Sequence, residues 1–354
     1  MTKLIASTYP LELPTLLSEN AVEELEKALA AFLGYKEVIV LNAIESAFSL
    51  ALSTLEKESG VLCSPNAPIA LFSALHHHDL KAEYCDLKLD GTMETRFFHK
   101  SKTDHSKALV LSHNHGILSD CKQAALFTEE SGMTLIEDAT QAFSKREKSE
   151  AELVIYSLDV LVPSSLANGA FIATDNEPLA TSLRHKAKGG YAPKKFWNYD
   201  LINTDANLSL APLTAQLALD ALTHIDKREQ RIKEIQSTYL EKLSSNRLIE
   251  LPRSSNLVAN PLFPIALVPA LFCPKEDIYQ ALVEAGIPIK VGNKPIYKTT
   301  LFKDEALSLF GAEEVFKAQL LLPSHHLMTP DDVTFTVETL ESLLETYGYR
   351  GCSF

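Results

Sequence analysis

His113 and His115 stand directly after the apolar run KALVLS (107–112). Such a run reads as a buried strand, and α/β proteins bind ligands at the carboxyl ends of their strands. The two histidines are therefore the polar side chains best placed to serve as acid or base in a cleft. Other clusters carry less. His76, His77 and His78 are consecutive, so on a helix they diverge and make poor metal ligands. His325–His326 is an isolated pair, and no metal site is expected from any of these groups. Ser164–Ser165 has no base that matches it, which argues against a serine hydrolase. Gly189–Gly190 lacks the preceding strand of a nucleotide loop and reads as a turn. Cys63 and Cys85 end strands and read as buried, inert thiols. Asp138 closes the run TLIED, and Asp159 follows LVIYS; from residue type alone both suit turns or helix caps.

These groups are positioned by an alternation of short apolar runs and amphipathic stretches. Strands are expected at EVIVL (37–41), VLC (61–63), AEYC (82–85), KALVLS, TLIED (134–138), LVIYS (153–157) and AFIAT (170–174). Helices are expected over 21–33, with Val22, Leu25, Leu29 and Phe32 at helical spacing and Gly34 as its stop, over 44–57, near 69–77 and around 120–131. Apolar strands separated by helices predict an α/β fold, a mostly parallel sheet covered on both faces. One long helix is then expected from about Leu213 to Leu243. Beyond it, PIALV (264–268) reads as a strand, 274–286 as a helix ended by glycine, and the stretch after Thr329 as a capped last helix. The expectation is a smaller α+β domain hinged on the long helix.

Composition narrows the partners. Hydrophobic residues make up 46% and charged residues 22% of 354, an ordinary globular balance. A formal net charge of −13 disfavours nucleic acid and anionic membrane as partners. The five scattered cysteines lack CxxC spacing, the N-terminus lacks a signal-peptide core, and no stretch approaches a membrane span. The cytoplasm is expected.

Several segments, taken in order, resemble the sugar aminotransferases of the DegT/DnrJ/StrS family. GMTLIEDATQAF (132–143) is similar to a strand ending in Glu-Asp-Ala-x-Gln-Ala. LVIYSLDVLVPSSLANGAFIATDNEPLA (153–180) is similar to Phe-Ser-Phe-x-Pro-x-Lys followed by Gly-Ala-x-x-x-Thr-Asp. The stretch 197–232 resembles the segment with Asn-Tyr-Arg and the helix after it, and LLLPSHHLMTPDDV (320–333) the C-terminal Leu-Pro-x-His pattern. The resemblance runs from about Val22 to Tyr347. It implies an aspartate-aminotransferase-like large domain with a mainly parallel seven-stranded sheet (1–222) and a small C-terminal domain (223–354). It also implies a sugar nucleotide as ligand, pyridoxal or pyridoxamine phosphate as cofactor, and a homodimer with its sites at the interface. The surroundings of Trp197 lean toward the branch that makes 4-amino-4,6-dideoxy sugars for bacterial surface glycans.

By the same resemblance, Asp138 pairs with the pyridinium nitrogen of the cofactor and Gln141 neighbours its ring oxygen. Ser46, Ser157 and an Asn207 lent by the other subunit belong to its phosphate cradle, and Pro68 or Phe72 to the ring-stacking position. The departures are as informative as the matches. Val162 takes the place of the Schiff-base lysine, and no lysine occurs from Ser149 to His185. Valine can neither form an imine nor carry a proton. Glu45 stands where a threonine is expected in the cradle, and Ser209 where an arginine is expected. KVGNKPIYKTT (290–300) lacks the expected histidine. The chain is accordingly expected to be a non-transaminating homologue, able to pair with an active relative. The alternatives are an enzyme with non-covalent cofactor, or another sugar-nucleotide enzyme using Asp159, His113 or His115.

Overall fold

The computed structural model describes residues 18, 20–145, 147–163, 167–190, 206–268 and 275–350. The residues Ser164–Ser165 and Trp197, singled out above, lie outside this set.

Seven strands form the larger sheet: β1 (Glu37–Leu41), β2 (Gly60–Cys63), β3 (Lys81–Tyr84), β4 (Ser106–Ser112), β5 (Thr134–Asp138), β6 (Leu153–Ser157) and β7 (Ala170–Thr174). Their order is β1-β7-β6-β5-β4-β2-β3. The five strands from β3 to β6 run parallel, while β7 is antiparallel to both β6 and β1. The central strands are Val/Ile/Leu-rich and buried along their length, as a sheet covered on both faces requires. One face carries α1 (Ala21–Leu33), α4 (Thr95–Ser101), α5 (Cys121–Ser131) and α7 (Pro212–Leu222); the other carries α2 (Ile44–Leu52), α3 (Ile69–His77) and α6 (Glu177–Ala187). On α1, Ala21, Leu25, Leu29 and Leu33 form the buried stripe, and Gly34 at φ 79° ends the helix in the left-handed region where glycine carries no Cβ penalty.

A second sheet, β10-β11-β9-β8, is antiparallel throughout. It comprises β8 (Ile249–Glu250), β9 (Leu262–Leu267), β10 (Lys290–Val291) and β11 (Gln319–Pro323). Helices α8 (Ile225–Leu243), α9 (Lys275–Glu284) and α11 (Pro330–Arg350) share its apolar cluster. Thr329 caps α11 reciprocally with Asp332: its hydroxyl accepts the Asp332 N–H at 3.2 Å while its own N–H donates to that carboxylate at 2.8 Å.

The long helix expected over 213–243 is two helices. α7 ends at Leu222, α8 begins at Ile225, and the Thr223 hydroxyl turns back onto the Asp220 carbonyl at 2.7 Å. The apolar stripe is continuous in sequence but serves two cores. Ala215, Ala218 and Ala221 pack with α1 against the large sheet, whereas Ile235, Tyr239 and Leu243 pack on the small one. The helix expected over 44–57 is also shorter, ending at Leu52.

Two seams tie the sheets together. Leu118 N–H donates to Asn256 and Val258 N–H to Gly116, so the chain after β4 lies against the segment that leads into β9. At the other seam, α10 (Phe310–Ala318) starts on the Asp86 carboxylate, which accepts the N–H groups of Gly311 and Ala312. A Cβ on Gly311 would lie 1.8 Å from the Leu87 carbonyl oxygen, so only glycine allows this approach.

Candidate functional site

The carboxyl ends of β4, β5 and β6 place the residues singled out in the sequence. β5 ends on Asp138, whose Oδ1 accepts the Thr140 hydroxyl at 2.7 Å and the Thr140 N–H at 3.2 Å. Burial pushes this carboxyl above its ordinary value, opposed by Thr140, Ser112 and the nearby His113. One residue beyond Thr140, the Gln141 side-chain oxygen accepts the N–H of His115 at 2.8 Å. The Gln141 carbonyl accepts the side-chain amide of Asn260, from the segment that leads into β9.

Ser46 sits in the first turn of α2, and its hydroxyl donates to Asn42 Oδ1 at 2.6 Å. No side chain caps this helix, and Glu45 projects exposed from the same turn. A carboxylate there suits the helix dipole but opposes an incoming phosphate. Ser157, buried at the end of β6, accepts the Asp159 N–H at 3.0 Å. Burial raises the acid of Asp159; Glu45 adds to the rise, while Ser157 and Lys290 oppose it. Groups from α2, the β6 end and β10 thus share one electrostatic neighbourhood. Asn207 is exposed, its side-chain oxygen accepting the Ser209 N–H at 3.1 Å, and Leu208 accepts the Asn42 N–H at 2.9 Å. Residues 207–209 therefore run beside the entrance to α2. Pro68 opens α3, and Phe72 is buried against the rings of Tyr84 and Phe302.

Val162 closes a tight turn in which the N–H groups of Leu161 and Val162 both reach the Leu158 carbonyl at 2.8 Å. Its side chain is 0% exposed and belongs to the same apolar cluster as Leu158, Leu161, Phe171 and Leu210. Val162, expected from the resemblance to stand at the lysine's place, is a core residue in this chain.

The two leading histidines part company. His113 Nδ1 accepts the Ser119 N–H at 3.0 Å, so the neutral ring carries its proton on Nε2, which lies 2.9 Å from Glu137 Oε1. Cys121 Sγ is 3.6 Å from both His113 Nε2 and Glu137 Oε2. These atoms lie within 4.8 Å of one another, as metal ligands would. A cation on Nε2, however, would drive the ring proton to Nδ1, where the Ser119 N–H already points. Proton placement makes the cluster a hydrogen-bonded anchor beneath the sheet edge. Sequence spacing could not reveal it, because Cys121 and Glu137 reach His113 only across a helix and a strand. His115, by contrast, has φ 54° and ψ 33°, and burial pushes its ring down to about 4. His325 is buried, and burial together with Arg228 and His325 holds His326 at about 4.

The large sheet with its reversed β7, the antiparallel small sheet, and strand ends converging on Asp138 define an aspartate-aminotransferase-like protein. The chain belongs to the DegT/DnrJ/EryC1/StrS aminotransferase family, which matches residues 11–341. It is 28% identical to the UDP-4-amino-4,6-dideoxy-N-acetyl-beta-L-altrosamine transaminase of Campylobacter jejuni over 347 residues, 93% of this chain and 92% of that relative. Among solved structures it is similar to Helicobacter pylori PseC, an aminotransferase involved in the biosynthesis of pseudaminic acid, with TM-score 0.87, 20% identity, and 94% of this chain and 93% of that one covered. It is also similar to ntda from Bacillus subtilis, solved with bound cofactor PMP, with TM-score 0.83, 22% identity, and 93% and 78% covered. Its homologues are sugar-nucleotide aminotransferases of glycan biosynthesis. Among the described residues no helix is long and apolar enough to cross a membrane.

Proposed function

We propose that this chain is a non-transaminating member of its family that keeps the sugar-nucleotide cleft and acts as a binding or regulatory subunit. The observation that carries this reading is Val162, sealed in the apolar core where its relatives' chemistry needs a lysine.

The residues present do not fit a covalently held pyridoxal phosphate. Asp138 keeps its place at the end of β5. The Ser46 hydroxyl is spent on Asn42, Glu45 sets a negative charge at the helix start meant for phosphate, and Ser209 brings none of an arginine's charge. Val162, Ser46, Glu45 and Ser209 all depart from the cofactor's needs, more than a single substitution at position 162 would account for. A second reading, pyridoxamine phosphate held without a covalent link, rests on the position of Asp138 alone.

The ligand in this proposal is a UDP-linked amino or keto sugar, by analogy with the Campylobacter relative. The chain divides into 1–222 and 223–354, a boundary supported by the break between α7 and α8. It works in the cytoplasm, consistent with the free thiols Cys63, Cys85 and Cys121. The assembly is a homodimer or a heteromer with an active relative, which suits the exposed Asn207 beside the α2 entrance. The test is an incubation with a UDP-4-keto-6-deoxy sugar, glutamate and pyridoxal phosphate, alongside calorimetric binding of the sugar nucleotide. Binding without amino-sugar product is expected; steady amino-sugar formation would overturn the proposal.

A further inference from the structure

The turn after β4, Asn114–Gly116, holds two consecutive polar side chains that nothing else in the fold uses. Asn114 is 7% and His115 4% exposed. Among the described residues neither side chain has a hydrogen-bond, ion-pair or ring partner, yet neither has a polar atom sealed from solvent. Both side chains are more than nine-tenths buried, yet their polar atoms stay reachable and uncommitted, so a ligand that displaces water can hydrogen-bond to them.

The backbone makes the same point. His115 occupies the left-handed region at φ 54°, which costs a residue with a Cβ roughly 1–2 kcal/mol. Its N–H is fixed by the Gln141 side-chain oxygen at 2.8 Å. Gly116 follows at φ 81°, packed so closely on Asn260 that a Cβ would lie 2.8 Å from the Asn260 Cβ. Asn260 in turn donates to the Gln141 carbonyl. The strained turn is therefore clamped from β5 on one side and from the β9 segment on the other. It lies at the carboxyl edge of the large sheet, at the seam with the small one, where ligands of α/β proteins sit. His113, two residues earlier, is committed to Ser119 and Glu137 and cannot take this role.

We propose that Asn114 and His115 form a recognition turn for the sugar ring of the nucleotide sugar, hydrogen-bonding its hydroxyl or carbonyl groups rather than its diphosphate. The assignment rests on the sugar-nucleotide reading of the cleft. Both side chains are uncharged at neutral pH, because burial keeps the His115 ring neutral. Each then offers both a donor and an acceptor, the complement of a hydroxyl group, whereas a diphosphate is held better by cations and backbone N–H groups.

The experiment compares calorimetric affinities for UDP-N-acetylglucosamine and for UDP in the full chain and in the variants His115→Gly, His115→Asn and Asn114→Ala. Glycine adopts left-handed backbone freely, so His115→Gly keeps the fold, which thermal melting checks. The wild type is expected to prefer the sugar nucleotide. His115→Gly and Asn114→Ala should each cut that preference by roughly tenfold while leaving UDP affinity unchanged. His115→Asn, which tolerates the backbone and keeps a donor and an acceptor, should retain more of it. Binding of both nucleotides with the wild-type preference intact in every variant would overturn this assignment alone. A wild type that binds neither would overturn the sugar-nucleotide reading along with it.

Discussion

Val162→Lys is the substitution that restores the residue type the family's chemistry needs, and the structure predicts that it fails. The valine is fully buried within an apolar cluster that includes Leu158, Leu161, Phe171 and Leu210. An amine placed there loses its hydration and becomes neutral, with a folded pKa near 6, as buried lysines have, against about 10.4 in the unfolded chain. Holding it deprotonated at pH 7 costs about 1.4 kcal/mol for each of the roughly 3.4 units between pH 7 and 10.4, so about 4.5 kcal/mol. Because the folded pKa is depressed, the unfolded chain binds more protons below pH 10.4, and the deficit shrinks as pH rises. At pH 9 about 2 kcal/mol should remain. Urea denaturation of both proteins at the two pH values measures these differences. Absorbance after addition of pyridoxal phosphate reports any imine. A variant as stable as wild type at pH 7, or one that develops an imine band, would show that position 162 faces the cleft instead of the core.

Three further outcomes follow from the same structure. Gly311→Ala forces a Cβ onto the Leu87 carbonyl oxygen and should cost at least about 2 kcal/mol in chemical denaturation, loosening α10 from its Asp86 cap. Glu45→Gln removes a first-turn carboxylate from α2, so it should lower stability by about 0.5 kcal/mol in chemical denaturation. His326 is held at about 4 by burial, Arg228 and His325, so its unfolded form takes up protons first as the solution is acidified. The stability it contributes is present above about pH 6.5 and is lost as pH falls toward 4. Thermal melts of His326→Gln across that window should lose less than wild type, by about 1 kcal/mol after discounting for partial exposure.

The large sheet was legible in the sequence because most of its strands are short apolar runs bounded by turn residues, and EVIVL, TLIED, LVIYS and AFIAT match β1, β5, β6 and β7 residue for residue. What periodicity could not reveal is direction. The stripe through 213–243 repeats at helical spacing across Thr223 and His224, although the two halves face different sheets. The short elements α4, α10, β8 and β10 carry too few residues for a pattern and take their shape from tertiary contacts, as α10 does from Asp86. At the site, residue types alone raised the expectation of missing chemistry, since the identity of residue 162 is the same in any fold. They could not tell that Ser46 is spent on Asn42, that Gln141 holds the backbone of His115, or that Cys121 and Glu137 gather around His113. Those facts depend on partners brought together from distant points of the chain. The contrast between His113 and His115 is the clearest case. Two residues apart, they look equivalent in sequence, and only hydrogen-bond geometry separates an anchor from an open side chain.

We propose that this fold has parted from its family's cofactor chemistry. The most direct test is titration of the purified protein with pyridoxal phosphate and, separately, pyridoxamine phosphate, followed by absorbance and calorimetry. No imine band is expected with the first and no saturable heat with either, because Val162, Glu45, the engaged Ser46 and Ser209 leave neither a covalent hold nor a phosphate cradle. Tight saturable binding of either compound would contradict it and would establish that the cleft still accepts the cofactor without the lysine.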